Sequence, residues 1–109
     1  MPRLVFLNSK LLDVFALPYE APRLIIHPFV PLRALVENAI SDGWEIRCYI
    51  SHSATLQVLN TMLTGITKLQ PSNGRYRYQP GDRIIVARLR KLKGRNYLDL
   101  REVEVEVPP

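Results

Sequence analysis

At 109 residues, with 47% apolar and 23% charged side chains, the chain has the composition of one globular domain, too short for two cores and too apolar for disorder. Fifteen Lys and Arg against ten Asp and Glu leave a net charge of +5 and a pI near 9.7, which favours an anionic partner. No apolar run is long enough for a membrane span or a secretory leader, so the sequence predicts an intracellular, cytoplasmic protein without a membrane partner.

Residues 3–7 form a first short apolar strand. Residues 9–22 mix apolar side chains with Pro18 and Pro22 and read as a long loop, of the kind that lies over functional sites in small domains. A second strand, 23–27, is closed by Pro28. Pro31 suits the first turn of a helix, and Leu32, Leu35, Val36, Ala39 and Ile40 recur at the spacing of one helical face as far as Gly43. A third strand, 45–50, carries Cys48. This single cysteine excludes an internal disulfide or a cysteine zinc site and, by the habits of free cysteine, belongs to the core. Ser53 opens a second helix, with Leu56, Leu59, Met62 and Leu63 inward and Gly65 as its stop.

Beyond Gly65 the pattern becomes extended. Residues 66–69 read as a short strand, 71–74 as a turn, and Arg75-Tyr76-Arg77-Tyr78 as an alternating edge strand. After a second turn at 79–82, the stretch 83–91 has the strongest apolar centre. Residues 93–96 turn again, and the last strand, 98–107, sets Val103, Val105 and Val107 against Glu102, Glu104 and Glu106. This order predicts an α/β (α+β) single domain over 1–109, a mixed sheet of about five or six strands flanked by two main helices.

Two stretches carry chemistry. In YISHSATLQVLN, residues 49–60, a buried strand ends in Ser51, His52, Ser53 and Thr55 and then becomes a helix. A helix start offers unpaired N–H groups and the positive dipole end to a phosphate, the hydroxyls add donors, and His52 can give up a proton near neutral pH. The structural alternative is Ser53 as a simple N-cap and His52 as a hydrogen-bonded turn residue. The second stretch, 74–95, holds eight basic residues against Asp82 alone, a net +7, with Tyr76 and Tyr78 among the arginines; this is the pattern of a surface that contacts phosphates and stacks bases, or of a charged strand edge. Arg88 and Arg90 share one strand face and Lys91 lies opposite. No glycine-rich phosphate loop, evident carboxylate pair or metal-spaced His/Cys/Asp cluster occurs, so no metal or cofactor is expected. His27, before Pro28 at a strand end, reads as structural.

Leu7-Asn8-Ser9 after the first strand, Ile50-Ser51-His52-Ser53-Ala54-Thr55 ahead of Leu56-Gln57-Val58-Leu59-Asn60, and Pro80-Gly81-Asp82-Arg83-Ile84-Ile85 at a late strand occur in an order that resembles one family. It is the family of small proteins from archaeal viruses and some prokaryotes that includes the viral type III anti-CRISPR ring nucleases. The resemblance runs from about Arg3 to Gly94, with the Ser-His-Ser-Ala-Thr-Leu-Gln block its most specific part. It implies a mixed sheet flanked by helices, a symmetric homodimer, and cyclic tetra-adenylate bound across the dimer interface. It also implies a metal-independent reaction in which a ribose 2′-hydroxyl attacks the adjacent phosphate to give a 2′,3′-cyclic phosphate. His52 would protonate the departing 5′-oxygen. Asn8 with Ser9, the hydroxyls of Ser51, Ser53 and Thr55, Arg90 with Arg88 on its face, and Lys93 would hold the ligand. The chain departs from the family pattern at Lys93, where a glutamate commonly precedes the matching glycine, at Leu11 in place of a serine, in a late strand about two residues short, and in its glutamate-alternating tail. A second expectation, from the +7 stretch, is a non-catalytic protein that binds DNA, RNA or a cyclic nucleotide. A third is a dimeric protein whose sheet edge binds a host protein.

Overall fold

In the computed structural model, which describes residues 2–8, 23–27 and 30–106, the elements follow as β1 (Arg3–Asn8), β2 (Arg23–His27), α1 (Leu32–Ser41), β3 (Glu45–Cys48), α2 (Ser53–Met62), β4 (Arg83–Leu92) and β5 (Arg95–Glu106). The strands form one mixed sheet in the order β2-β5-β4-β1-β3. Four of them, β5-β4-β1-β3, are the sheet that carries the helices, and β2 joins at the β5 edge. β1 runs parallel to both β3 and β4, while β5 is antiparallel to β4 and β2.

The position of β1 explains its sequence. Leu4, Val5, Phe6 and Leu7 are all fully buried, because the central strand is covered on both faces and so reads as a continuous apolar run. Leu4 and Phe6 join Ile85, Ala87 and Leu100 under α1 and α2, which contribute Leu35, Val36, Leu56 and Leu59. Val5 and Leu7 pack on the opposite face with Ile84, Val86, Val103 and Tyr76. Each such side chain contributes roughly 1.5–3 kcal/mol by leaving water. α1 buries Leu32, Leu35, Val36 and Ala39 but leaves Ile40 45% exposed, at the margin of the expected stripe. Its end is a Schellman motif: the Gly43 N–H donates to the Ile40 carbonyl and the Trp44 N–H to that of Ala39, with Gly43 at φ 75°. In α2, Leu56 and Leu59 are buried and Leu63 follows them inside, whereas Met62 is 38% exposed.

Two expected strands are absent. Residues 66–69 and 75–78 pair with no strand, so the sheet is smaller than a six-stranded reading. Between the two, other groups meet the backbone's needs. The Asn60 side chain accepts from the Leu69 N–H (2.7 Å) and donates to the Leu69 carbonyl (3.0 Å), and the Ser72 N–H donates to the Ile50 carbonyl. The Arg-Tyr alternation at 75–78 comes from one side anchored inward. Tyr76 is 3% exposed, donates its hydroxyl to Asp82, and meets the Tyr49 ring edge-on at 5.4 Å.

Asp82 is the hub of a buried polar cluster. The Arg3 guanidinium donates to both its oxygens (2.8 and 2.5 Å) and to the Arg77 carbonyl, and the Gln79 N–H donates to it as well. The hydrogen bond to Asp82 raises the Arg3 guanidinium further, and burial, then the bond to Asp82, pushes the Tyr76 phenol up. No helix among the described residues is long and apolar enough to cross a membrane.

Candidate functional site

The C-terminal ends of β1 and β3 meet the start of α2 at one end of the sheet. The Tyr49 N–H donates to the Phe6 carbonyl at 2.9 Å, which keeps the chain leaving β3 beside β1 just before β1 closes at Asn8. Three residues after Tyr49, His52 caps α2. Its backbone is extended (φ −69°, ψ 113°), its carbonyl accepts the Leu56 N–H, and its Nδ1 accepts the Thr55 N–H at 3.3 Å. The Thr55 hydroxyl lies 3.0 Å from the same nitrogen.

The N-cap is therefore the histidine itself, and Ser53, expected in that role, is the first helical residue. The ring takes the place of the usual short side-chain acceptor because Thr55, 4% exposed, is packed with its N–H and hydroxyl toward Nδ1. This bonding has a chemical consequence. With Nδ1 accepting from an N–H, the proton of the neutral ring is assigned to Nε2. When the ring is cationic, Nδ1 becomes a donor, and the Thr55 hydroxyl oxygen is its acceptor. Thr55 thus serves both charge states and fixes the ring, while His52, Ser51 and Ser53 are exposed. Helix geometry leaves the N–H groups of Ser53 and Ala54 without a partner inside the helix, next to the two serine hydroxyls. Exposed donors, the helix dipole and an anchored imidazole form a place where an oxyanion can be held and a proton delivered.

Of the other expected ligand residues, Asn8 lies at this end of the sheet and the basic ones do not. Thr55 is buried and acts on His52, so it is a positioning residue rather than a ligand contact. Asn8 stands at the end of β1, half-buried and opposite Ala87 of β4. That register places Arg88 and Arg90, one and three residues beyond Ala87, on the other face of the sheet from Asn8 and the helices. Arg90 also donates to Asp99 at 2.8 Å, and this bond, with a weaker contribution from Arg101, holds the Asp99 carboxyl below the usual carboxylate range. Lys93 lies at the tip of the β4–β5 hairpin with φ 49°, six residues past the level of Asn8, roughly 20 Å along the strand. One chain therefore joins Asn8, Ser51, His52 and Ser53 at one end of the sheet and keeps Arg88, Arg90 and Lys93 away. Ser9, Leu11 and the 9–22 loop lie outside the described residues, as do the His27 side chain and Val107.

One sequence reading needs correction. Tyr76 is buried and Tyr78 half-buried against the second core cluster, so neither ring is a stacking surface. Glu102 lies, as expected, on the face opposite Val103, where at 8% exposure it is buried and accepts from Arg83. The Arg3–Asp82 pair was not foreseen, although Asp82 as the one acid in the +7 stretch and Arg3 opening an apolar strand were its signals. Cys48 behaves as expected of a core thiol: it is partly buried, and burial pushes its thiol up, away from nucleophilic use. Among the described residues no group of three or more His, Cys, Asp or Glu is arranged to hold a metal ion.

Compared with known proteins, the chain matches no family model and no curated protein.

Proposed function

We propose that the protein is a metal-independent ring nuclease that binds cyclic tetra-adenylate as a symmetric homodimer in the host cytoplasm and so antagonises type III CRISPR immunity. The observation that supports it best is His52: an exposed residue whose ring is anchored through Nδ1 to buried Thr55, between Ser51 and Ser53 at a helix start. In the reaction, a ribose 2′-oxygen bonds to phosphorus and the P–O5′ bond breaks. The departing 5′-oxygen takes the Nε2 proton of the cationic ring, which is left neutral, while the 2′-hydroxyl proton passes to water. The N–H groups at the start of α2 and the two serine hydroxyls offset the charge that builds on the phosphate, and Asn8 borders the ligand. A second copy of the same helix start, across a dimer axis, doubles these contacts for a ring with repeated phosphates.

The separation of Arg88, Arg90 and Lys93 from His52 favours a second reading, a non-catalytic protein for nucleic acid or a cyclic nucleotide. One experiment divides the two. Purified protein in excess over cyclic tetra-adenylate, in a chelator, gives linear products ending in a 2′,3′-cyclic phosphate if the nuclease reading holds. Bound but intact ligand after prolonged incubation refutes it and leaves the binding reading.

A further inference from the structure

Among the described residues, β4 and β5 continue beyond the other strands of the sheet. Ala87, opposite Asn8, is the last β4 residue level with β1, and β2 pairs with β5 only over residues 102–106. Residues 88–92 and 95–99 are therefore a two-stranded arm, about 17 Å long at ~3.4 Å per residue, closed by Lys93 and Gly94 with φ 49° and 76°. The register places Arg88 and Arg90 of β4 and Arg95, Tyr97 and Asp99 of β5 on one face, with Arg101 at its root opposite Val86.

The charges on this face are unevenly engaged. Asp99 holds Arg90 and, at 3.4 Å, Arg101, whereas Arg88 and Arg95 are exposed and form no ion pair among the described residues. Tyr97 is the cross-strand partner of Arg90 and is 44% exposed in the middle of these guanidiniums. Nearer the body, Tyr76 packs against Val86 on the same side of the sheet with Arg75 and Arg77 exposed around it, so the basic track continues there.

We propose that this arm face binds single-stranded nucleic acid, with Tyr97 stacking one base and Arg88 and Arg95 contacting the phosphates on either side. An exposed aromatic ring with two guanidiniums near it that form no ion pair among the described residues suits a single strand, because an unpaired base offers its face to the ring and its backbone follows the cations. A duplex keeps its bases stacked on one another and leaves Tyr97 unused. An acidic protein would meet the charges and equally leave the ring idle. The surface lies on the opposite side of the sheet from His52 and stands independently of the nuclease reading.

The test is fluorescence anisotropy with labelled 12-nucleotide oligo-dT and oligo-U, beside a 12-base-pair duplex and a poly-glutamate competitor. Single strands bind more tightly than duplex, and with two phosphates neutralised log K falls with log salt at a slope of about −1.4. Tyr97→Ala weakens binding by about tenfold or more, while Tyr97→Phe retains it. The Arg88→Ala/Arg95→Ala pair removes nearly all of this slope. Tighter duplex binding, full displacement by poly-glutamate at matched charge, no binding, or unchanged affinity for folded Tyr97→Ala overturns the proposal. Should Tyr97→Ala lower the melting temperature, the salt slope of the double arginine variant decides.

Discussion

Replacing Asp82 by Ala removes the hub of the buried polar cluster and tests how the non-strand segment 75–82 is fixed to the sheet. The Arg3 and Asp82 side chains are 7% and 2% exposed, so the substitution leaves a guanidinium out of water with only the Arg77 carbonyl and the Tyr76 ring, 5.8 Å away, as company. The Tyr76 hydroxyl and the Gln79 N–H lose their acceptor too. Removing one partner of a buried pair costs about 3–5 kcal/mol, against a total of about 5–15 kcal/mol for a domain. At roughly 4 °C or more per kcal/mol, the melting temperature falls by at least about 12 °C. Replacing both partners, Arg3→Met with Asp82→Leu, costs less than Asp82→Ala alone, since no charge is stranded. Acid has a related effect. Burial by itself pushes the Asp82 carboxyl up, but the hydrogen bonds from Arg3, Tyr76 and the Gln79 N–H outweigh it and hold the group below its ordinary 3.8. The unfolded chain therefore takes up this proton first; the stabilisation is complete above about pH 4–5 and is lost as pH falls through the lower folded value. Urea unfolding followed by circular dichroism from pH 3 to 7 reads both effects. A loss under about 1 kcal/mol in Asp82→Ala, or an acid limb as steep as that of the parent, would show that the cluster does not hold this face together.

Thr55→Val keeps the N–H that caps to His52 but deletes the hydroxyl that accepts from the cationic ring; single-turnover cleavage slows by about five- to tenfold, the equivalent of one hydrogen bond, with ligand affinity almost unchanged. Lys93→Asn places a residue that tolerates a left-handed backbone before Gly94, the Asn-Gly pair preferred in such turns, and raises the urea midpoint by the equivalent of a few tenths of a kcal/mol without altering ring cleavage.

The helices were legible because their signals are local, whereas strand ends were less so: β3 stops at Cys48 rather than at 50, and β5 starts at Arg95 rather than at 98. Gly43 closes α1 through a motif that needs its positive φ, and Leu56 and Leu59 lie one helical turn apart on the buried side of α2. The alternation at 75–78 misled for a physical reason: one buried face produces a period of two whether or not a neighbouring strand supplies hydrogen bonds, and Tyr76 is drawn inward by Asp82 instead. At the candidate site, the His52 turn could be placed from sequence, yet its capping role could not, since histidine is not a preferred N-cap and the pairing depends on Thr55 being buried. Arg88 and Arg90 of β4 were grouped correctly on one face. Which face that was required the β1–β4 register, which no local pattern encodes.

The most direct measurement is single-turnover cleavage of cyclic tetra-adenylate in a chelator by the parent protein and by His52→Ala, with binding measured on the same samples. If His52 is the proton donor, the variant loses at least about a hundredfold in rate while its affinity stays within about tenfold, ~1.4 kcal/mol. Cleavage by the variant at the parent's rate, or rate and affinity lost together, would contradict a catalytic His52.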